Sequence, residues 1–231
     1  MISGKIIWKI LQAFTNFVLQ STFMKDKFQQ DLAQIRNMME QSTRFISLSG
    51  TSGISAGIIA LAGAAVAYYL FNKSGINYFD GERNMYPQEL VKELLILALL
   101  VLASALAAGI YFTVRKSRRN KLSVWNKASK NLVTALFIPL ITGGIFCLIL
   151  LYHGLFYLIA PATLIFYGLA LINAGKYSFG DIANLGYVEI LLGLLSSVFT
   201  GYGLLSWAIG FGVLHIIYGI VMYRKYENTY E

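Results

Sequence analysis

A hydroxyl, a carboxylate and an imidazole are the ingredients of nucleophilic catalysis. Ser52, Glu189 and His215 bring one such set into the apolar stretches of this 231-residue chain. Ser52 stands in Gly50-Thr51-Ser52-Gly53, literally G-x-S-G. Glu189 is the one carboxylate well inside an apolar run, and an ionisable group in lipid marks a proton or ion site, or a structural residue held by a partner. His215 can pair with Glu189 or respond to pH; as a core residue it needs only a hydrogen bond. Asn173, near Gly175, reads as a cap for the fourth apolar run and joins Glu189, His215 and Ser52 as a candidate ligand- or ion-binding residue. Two histidines and one cysteine make no zinc spacing. P-loop, G-x-G-x-x-G and H-E-x-x-H sequences are absent, so neither a metal nor a cofactor is expected.

The elements that hold these groups follow from composition. Apolar residues make up 57% of the chain, charged residues 13%, and mean hydropathy is +0.61. A soluble domain is about 45–50% apolar and about 25% charged. One core could not hide this much apolar surface, so lipid must be part of the solvent. That excludes a soluble enzyme and a nucleic-acid-binding domain. Six runs approach the length of about 20 apolar residues that a span needs: 45–71, 90–114, 132–152, 155–174, 182–200 and 204–222. The expected fold is an all-α, six-helix integral membrane bundle over 45–223. It is preceded by a cytoplasmic amphipathic helix over 1–44 and followed by a short cytoplasmic tail, 224–231.

Local signals mark the helix ends. Pro87 suits the first turn of the second span, with Glu89 near the positive end of the dipole. Ser178 and Asp181 form S-x-x-D, which predicts Ser178 as the N-cap of the fifth span. Pro139 and Pro161 should kink spans three and four, with the bundle re-satisfying the freed carbonyls. At 1.5 Å per residue, Ser52 lies about 12 Å from Arg44, Glu189 about 12 Å from Asp181 and His215 about 13 Å from Arg224. All three belong at one depth.

The charges orient the bundle. With the N-terminus inside, sixteen of the nineteen Lys and Arg residues fall on cytoplasmic segments and three, Lys73, Arg83 and Lys92, fall outside. This is a strong positive-inside pattern and predicts a multi-pass protein of a bacterial inner membrane with both termini cytoplasmic. No carboxylate occurs between Glu93 and Asp181. The loop carrying Arg115, Lys116, Arg118, Arg119 and Lys121 should therefore lie on anionic headgroups, at about 1 kcal/mol per cation. Membrane lipids, not nucleic acid, are the expected partners of these cations.

In 1–44, Ile7, Leu11, Phe14 and Val18 form one stripe and Met24, Phe28, Leu32, Ile35 and Met39 another, at amphipathic-helix spacing. This helix either docks on its own bundle, the favoured use, or takes a protein partner. Gly50, Gly53, Gly57 and Gly63 give the first span a smooth packing face, with Gly53 and Gly57 as a GxxxG pair. The outer loop holds Asp80, Glu82 and Glu89, read as solvated carboxylates. The oligomeric state stays open.

Two resemblances add to this. The blocks RNMMEQSTRFISLSGTSGISAG (Arg36–Gly57), YLIAPATLIFYGLALINAGKY (Tyr157–Tyr177), LGYVEILLG (Leu185–Gly193) and HIIYGIVMYRKYE (His215–Glu227) resemble an uncharacterised family of polytopic bacterial inner-membrane proteins. That resemblance implies location and fold and no activity. The G-x-S-G sequence, with Gly57 and Ala60 following, is similar to the serine helix of rhomboid proteases, which implies pairing of Ser52 with His215 on a later helix. In rhomboids that serine lies on a late span and its site opens outward; here it is on the first span, near the inside. The sequence thus reads as a non-enzymatic binding or regulatory protein acting through its cytoplasmic face on a protein partner, lipid or small apolar ligand. The alternatives are a small-solute or ion transporter using Glu189, and an intramembrane serine hydrolase.

Overall fold

The computed structural model describes Leu32, Ile35 and residues 49–76, 86–120 and 123–227. The chain divides into two units, Met1–Thr43 and Arg44–Glu231. In the first, Leu32 and Ile35 are helical and exposed. The rest of the expected amphipathic helix, the start of the first span over 45–48, Lys121, Asp80 and Glu82 lie outside the described residues.

Among the described residues the fold is all-helical, and six helices are long and apolar enough to cross a membrane. They are α1 (Gly50–Lys73), α2 (Gln88–Arg119), α3 (Lys127–Tyr152), α4 (Ile159–Gly175, entered through a 3₁₀ turn at Phe156–Leu158), α5 (Asp181–Val198) and α6 (Thr200–Tyr226). Consecutive helices pack as α1–α2, α3–α4 and α4–α5, and the last helix returns to the first as α1–α6.

Two glycines make tight exits possible. Gly75 (φ +69°) and Gly154 (φ +71°) take the left-handed conformation that an L side chain resists. At each, the next amide reaches back five residues: Ile76 N–H donates to the Phe71 carbonyl (3.1 Å) and Leu155 N–H to the Leu150 carbonyl (2.9 Å). This Schellman geometry satisfies carbonyls that would otherwise be orphaned at the helix end. After Gly154 the chain turns straight into α4, which makes α3–α4 a hairpin.

Several ends differ from the sequence expectation. α2 runs on to Arg119, so Arg115, Lys116, Arg118 and Arg119 ride on a helix and not a loop. α3 begins at Lys127, because Asn126 and Ser129 form a capping box (Ser129 N–H to Asn126 Oδ1, 2.8 Å; Asn126 N–H to Ser129 Oγ, 2.9 Å). Ser178 is not an N-cap: α5 starts after Gly180 with no side-chain cap, and Ser178 is buried. Pro161 falls in the first turn of α4, where its missing N–H had no helical partner to lose, so it removes no ladder bond. Pro139, well inside α3, does remove one.

Small residues let two helix pairs approach closely. A Cβ on Gly57 would lie 2.6 Å from the Gly212 carbonyl oxygen, and one on Gly219 2.6 Å from that of Gly50. A Cβ on Gly53 would lie 3.2 Å from Gly219 Cα and 3.3 Å from the His215 carbonyl oxygen. Gly50, Gly53 and Gly57 therefore pack α1 on α6, whereas Gly63 admits Val101 of α2. Gly168 and Gly186 do the same for α4 and α5, where a Cβ on either would lie 2.6 Å from the other's carbonyl oxygen. In lipid such close packing replaces the hydrophobic effect as the force between helices. α2 differs: no residue of its most apolar stretch is buried, and Leu99, Leu100 and Ile110 are exposed.

Candidate functional site: a buried glutamate and histidine

α5 begins at Asp181 and carries Glu189 about 12 Å along its axis. The side chain points into the bundle and is wholly buried, with a relative exposure of 0%. Neither carboxyl oxygen has a hydrogen-bond partner. The nearest ionisable group is His215 of α6, whose Nδ1 lies 3.6 Å from Glu189 Oε1, too far for a good hydrogen bond. His215 is itself buried. A sealed carboxylate without a donor costs several kcal/mol, so this arrangement calls for a proton or a cation on or beside Glu189.

Both nitrogens of His215 are engaged. Nδ1 is 2.9 Å from the Gly210 carbonyl and Nε2 2.7 Å from the Tyr167 hydroxyl. A carbonyl only accepts, so Nδ1 carries a hydrogen. In the neutral imidazole Nε2 then accepts from the Tyr167 O–H. Tyr167, Phe211 and His215 stack with ring centroids 4.9–5.9 Å apart, and Trp207 adds to Phe211 at 5.0 Å. Three helices thus build the site: α4 supplies Tyr167, α5 Glu189, and α6 Gly210, Phe211 and His215.

The backbone of α6 is unusual here. Residues Ala208–Leu214 form a π-helix of seven residues between α-helical segments. Such segments are rare, and they cluster at functional sites. Gly210 lies within it, and a Cβ there would collide with Glu189 Oε2 and Leu164. The absent side chain is what admits the carboxyl group. Gly212, two residues on, admits Leu61 of α1 in the same way.

The structure brings together two of the three groups that the sequence placed at one depth. Glu189 and His215 meet. Ser52 sits at the same level, next to Gly53, which touches the His215 backbone. Its hydroxyl, however, donates to the Ser49 carbonyl of its own helix. The His215 nitrogens are held by Tyr167 and Gly210, and among the described residues neither is bonded to Ser52. Asn173 belongs to neither the site nor a cap. Its Nδ2 crosses to α3 and donates to the Ala135 carbonyl (2.9 Å). Ala135 lies four residues before Pro139, so this is the carbonyl whose helical donor proline lacks. The bundle does re-satisfy the carbonyl freed by Pro139, through an asparagine read from sequence as a cap.

Tyr167, Gly210 and Phe211 were not legible as site residues. A tyrosine inside an apolar span was the available signal, because its hydroxyl needs a partner in lipid. Glu227 was also missed. Its carboxylate accepts from Gly50 N–H (2.6 Å), Ser49 Oγ (3.2 Å) and Lys116 Nζ (3.2 Å), tying the end of α6 to α1 and α2. Nearby, Asp181 accepts from Lys225 Nζ (2.8 Å) and the Tyr226 hydroxyl (2.9 Å). Among the described residues no group of three or more His, Cys, Asp or Glu side chains could hold a metal ion. Comparison with protein-family models, curated proteins and solved structures finds no match to this chain.

Proposed function

We propose that this multi-pass membrane protein is a transporter that binds a proton at Glu189, moving it alone or with a small solute. The carrying observation is the Glu189 carboxyl group, fully buried, without a hydrogen-bond donor, and 3.6 Å from His215. A proton is the ligand this space favours. A metal ion needs several oxygen ligands, and here the Gly210 carbonyl and Tyr167 hydroxyl already serve His215. The proton has two resting places, on Glu189 beside neutral His215, or on His215 with Glu189 ionised. Ser196, two turns beyond Glu189 on the same face of α5, and Tyr218, one turn beyond His215 on α6, also bury hydroxyl oxygens with no partner. They extend the line of polar groups to either side. The sixteen-to-three division of cations supports a bacterial inner membrane with the rim of Glu227 and Lys225 facing the cytoplasm.

The test is proton flux into liposomes that carry a trapped pH-sensitive dye, driven by an imposed membrane potential. Wild type should acidify or alkalinise the lumen according to the sign of the potential. Glu189→Gln, which keeps shape and removes the titrating group, should reduce flux to that of empty liposomes while retaining helicity and monodispersity. Equal flux in both proteins would refute the assignment of the site, and no wild-type flux would refute movement of the proton alone and leave only solute-coupled movement. A second reading, a binding protein for lipid or a small apolar ligand working at the cytoplasmic face, is favoured by one observation, a groove on the α3–α4 surface.

A further inference from the structure

A groove of about 430 Å³ runs between α3 and α4, lined by Pro139 and Thr142 on one side and Phe166, Leu169, Ile172, Asn173 and Lys176 on the other. The volume lies in the range of small-molecule sites, about 300–1,000 Å³. Its walls explain its shape. Pro139 has no N–H, and Asn173 crosses the gap to the carbonyl that proline leaves free. Gly143 lets Phe166 lean against α3 backbone, and Phe166 meets Phe146 at 5.6 Å, which closes the far end. From Phe166 to Lys176 is ten residues of helix, about 15 Å. That is one leaflet, half of a hydrocarbon core of about 30 Å.

The ends of the groove differ chemically. The Phe166 end is apolar. The other holds exposed Lys176, whose Nζ donates to Asn173 Oδ1 (3.2 Å). Because α3 and α4 form a hairpin, the start of α3 lies at this same end, where Ala128 and Leu132 pack on Ala174. It adds Lys127 and Lys130, with Lys130 Nζ 5.9 Å from the ring centre of exposed Trp125. Neither helix carries a carboxylate, and the nearest one in sequence, Asp181, is bound to Lys225. An apolar channel one leaflet long, ending in cations that no carboxylate opposes among the described residues and in an interfacial tryptophan, matches one class of molecule.

We infer that this groove is a binding site for an anionic phospholipid, with an acyl chain lying between α3 and α4 and the phosphate at Lys176. The site is independent of Glu189: it lies on the other face of α4 from the Tyr167 contact to α6.

The experiment is native mass spectrometry of the full chain released from micelles doped with equal phosphatidylglycerol and phosphatidylcholine. Wild type should retain one phosphatidylglycerol per chain in preference to phosphatidylcholine. Lys176→Gln, an exposed change that leaves the packing intact, should weaken that retention about fivefold. Leu169→Trp, which fills the channel from a half-exposed position, should abolish it. Excess inorganic phosphate should not displace the lipid, since the chain supplies most of the contact. Equal retention of both lipids, or retention that neither substitution alters, would overturn the inference. So would competition by free phosphate alone, or a second protein copy held in place of lipid.

Discussion

Two carboxylates of the same architecture, one at its rim and one in its middle, meet opposite fates. Glu227, at the rim, accepts from a backbone amide, a hydroxyl and a lysine and sits at the positive end of the α1 dipole. Glu189, in the middle of the bundle, has no donor at all and only a histidine at 3.6 Å. The first arrangement satisfies a charge and joins three helices. The second leaves a charge unsatisfied, at a cost that stability alone gives no reason to keep. An expensive group held by a glycine-made recess and a π-helical segment is what the proposed proton site rests on. The contrast makes Glu227 a clasp by its full pairing and leaves Glu189 the candidate site by its incomplete pairing.

The comparison breaks if the two carboxylates respond alike to substitution. The largest separation is expected for Glu189→Gln, with proton flux lost and thermal stability in detergent unchanged or raised. A lowered melting temperature together with retained flux would make Glu189 a structural residue. Next comes Gly57→Val, whose side chain must displace the Gly212 backbone. Overpacking of this kind costs about 3 kcal/mol, so the α1–α6 contact should loosen, seen as a large drop in melting temperature. Unaltered melting would mean that α1 and α6 do not meet through these glycines. Glu227→Gln should cost about 2 kcal/mol through weakened charge-assisted bonds, while flux stays at wild-type level. If flux falls with it, the rim is part of the machinery. Asn173→Ala strands the Ala135 carbonyl and should cost about 1 kcal/mol. Refolding of that loss by Pro139→Ala, which restores the helical donor, would tie the two residues together; additive losses would separate them. Smallest is Asp181→Asn, because Lys225 opposite it is more than half exposed and solvent screens the pair. Melting should not change measurably, and a clear drop would place Asp181 with Glu227 as a clasp.

Much of this molecule was readable from residue types. Six apolar runs, the glycine face of the first span and the common depth of Ser52, Glu189 and His215 all follow from helix geometry, which is local and periodic. The helix ends were less readable. Ser178 carries a capping pattern yet is drawn into the interior, and the real capping box at Asn126 lies in a stretch dominated by cations. Asn173 looked like a cap because a polar residue near a helix end usually serves its own helix. Its actual duty, serving the proline of a neighbour, needs the two helices to be side by side.

Amino-acid order alone settled that lipid surrounds most of this chain, because 57% apolar residues in helix-length runs leave no other way to hide them. Which polar groups meet was decided by tertiary structure. The rotation of each helix about its axis sets that, and rotation depends on where small residues such as Gly168, Gly186 and Gly210 let neighbours approach. It turned Glu189 toward His215 and left Ser52 bonded to its own helix.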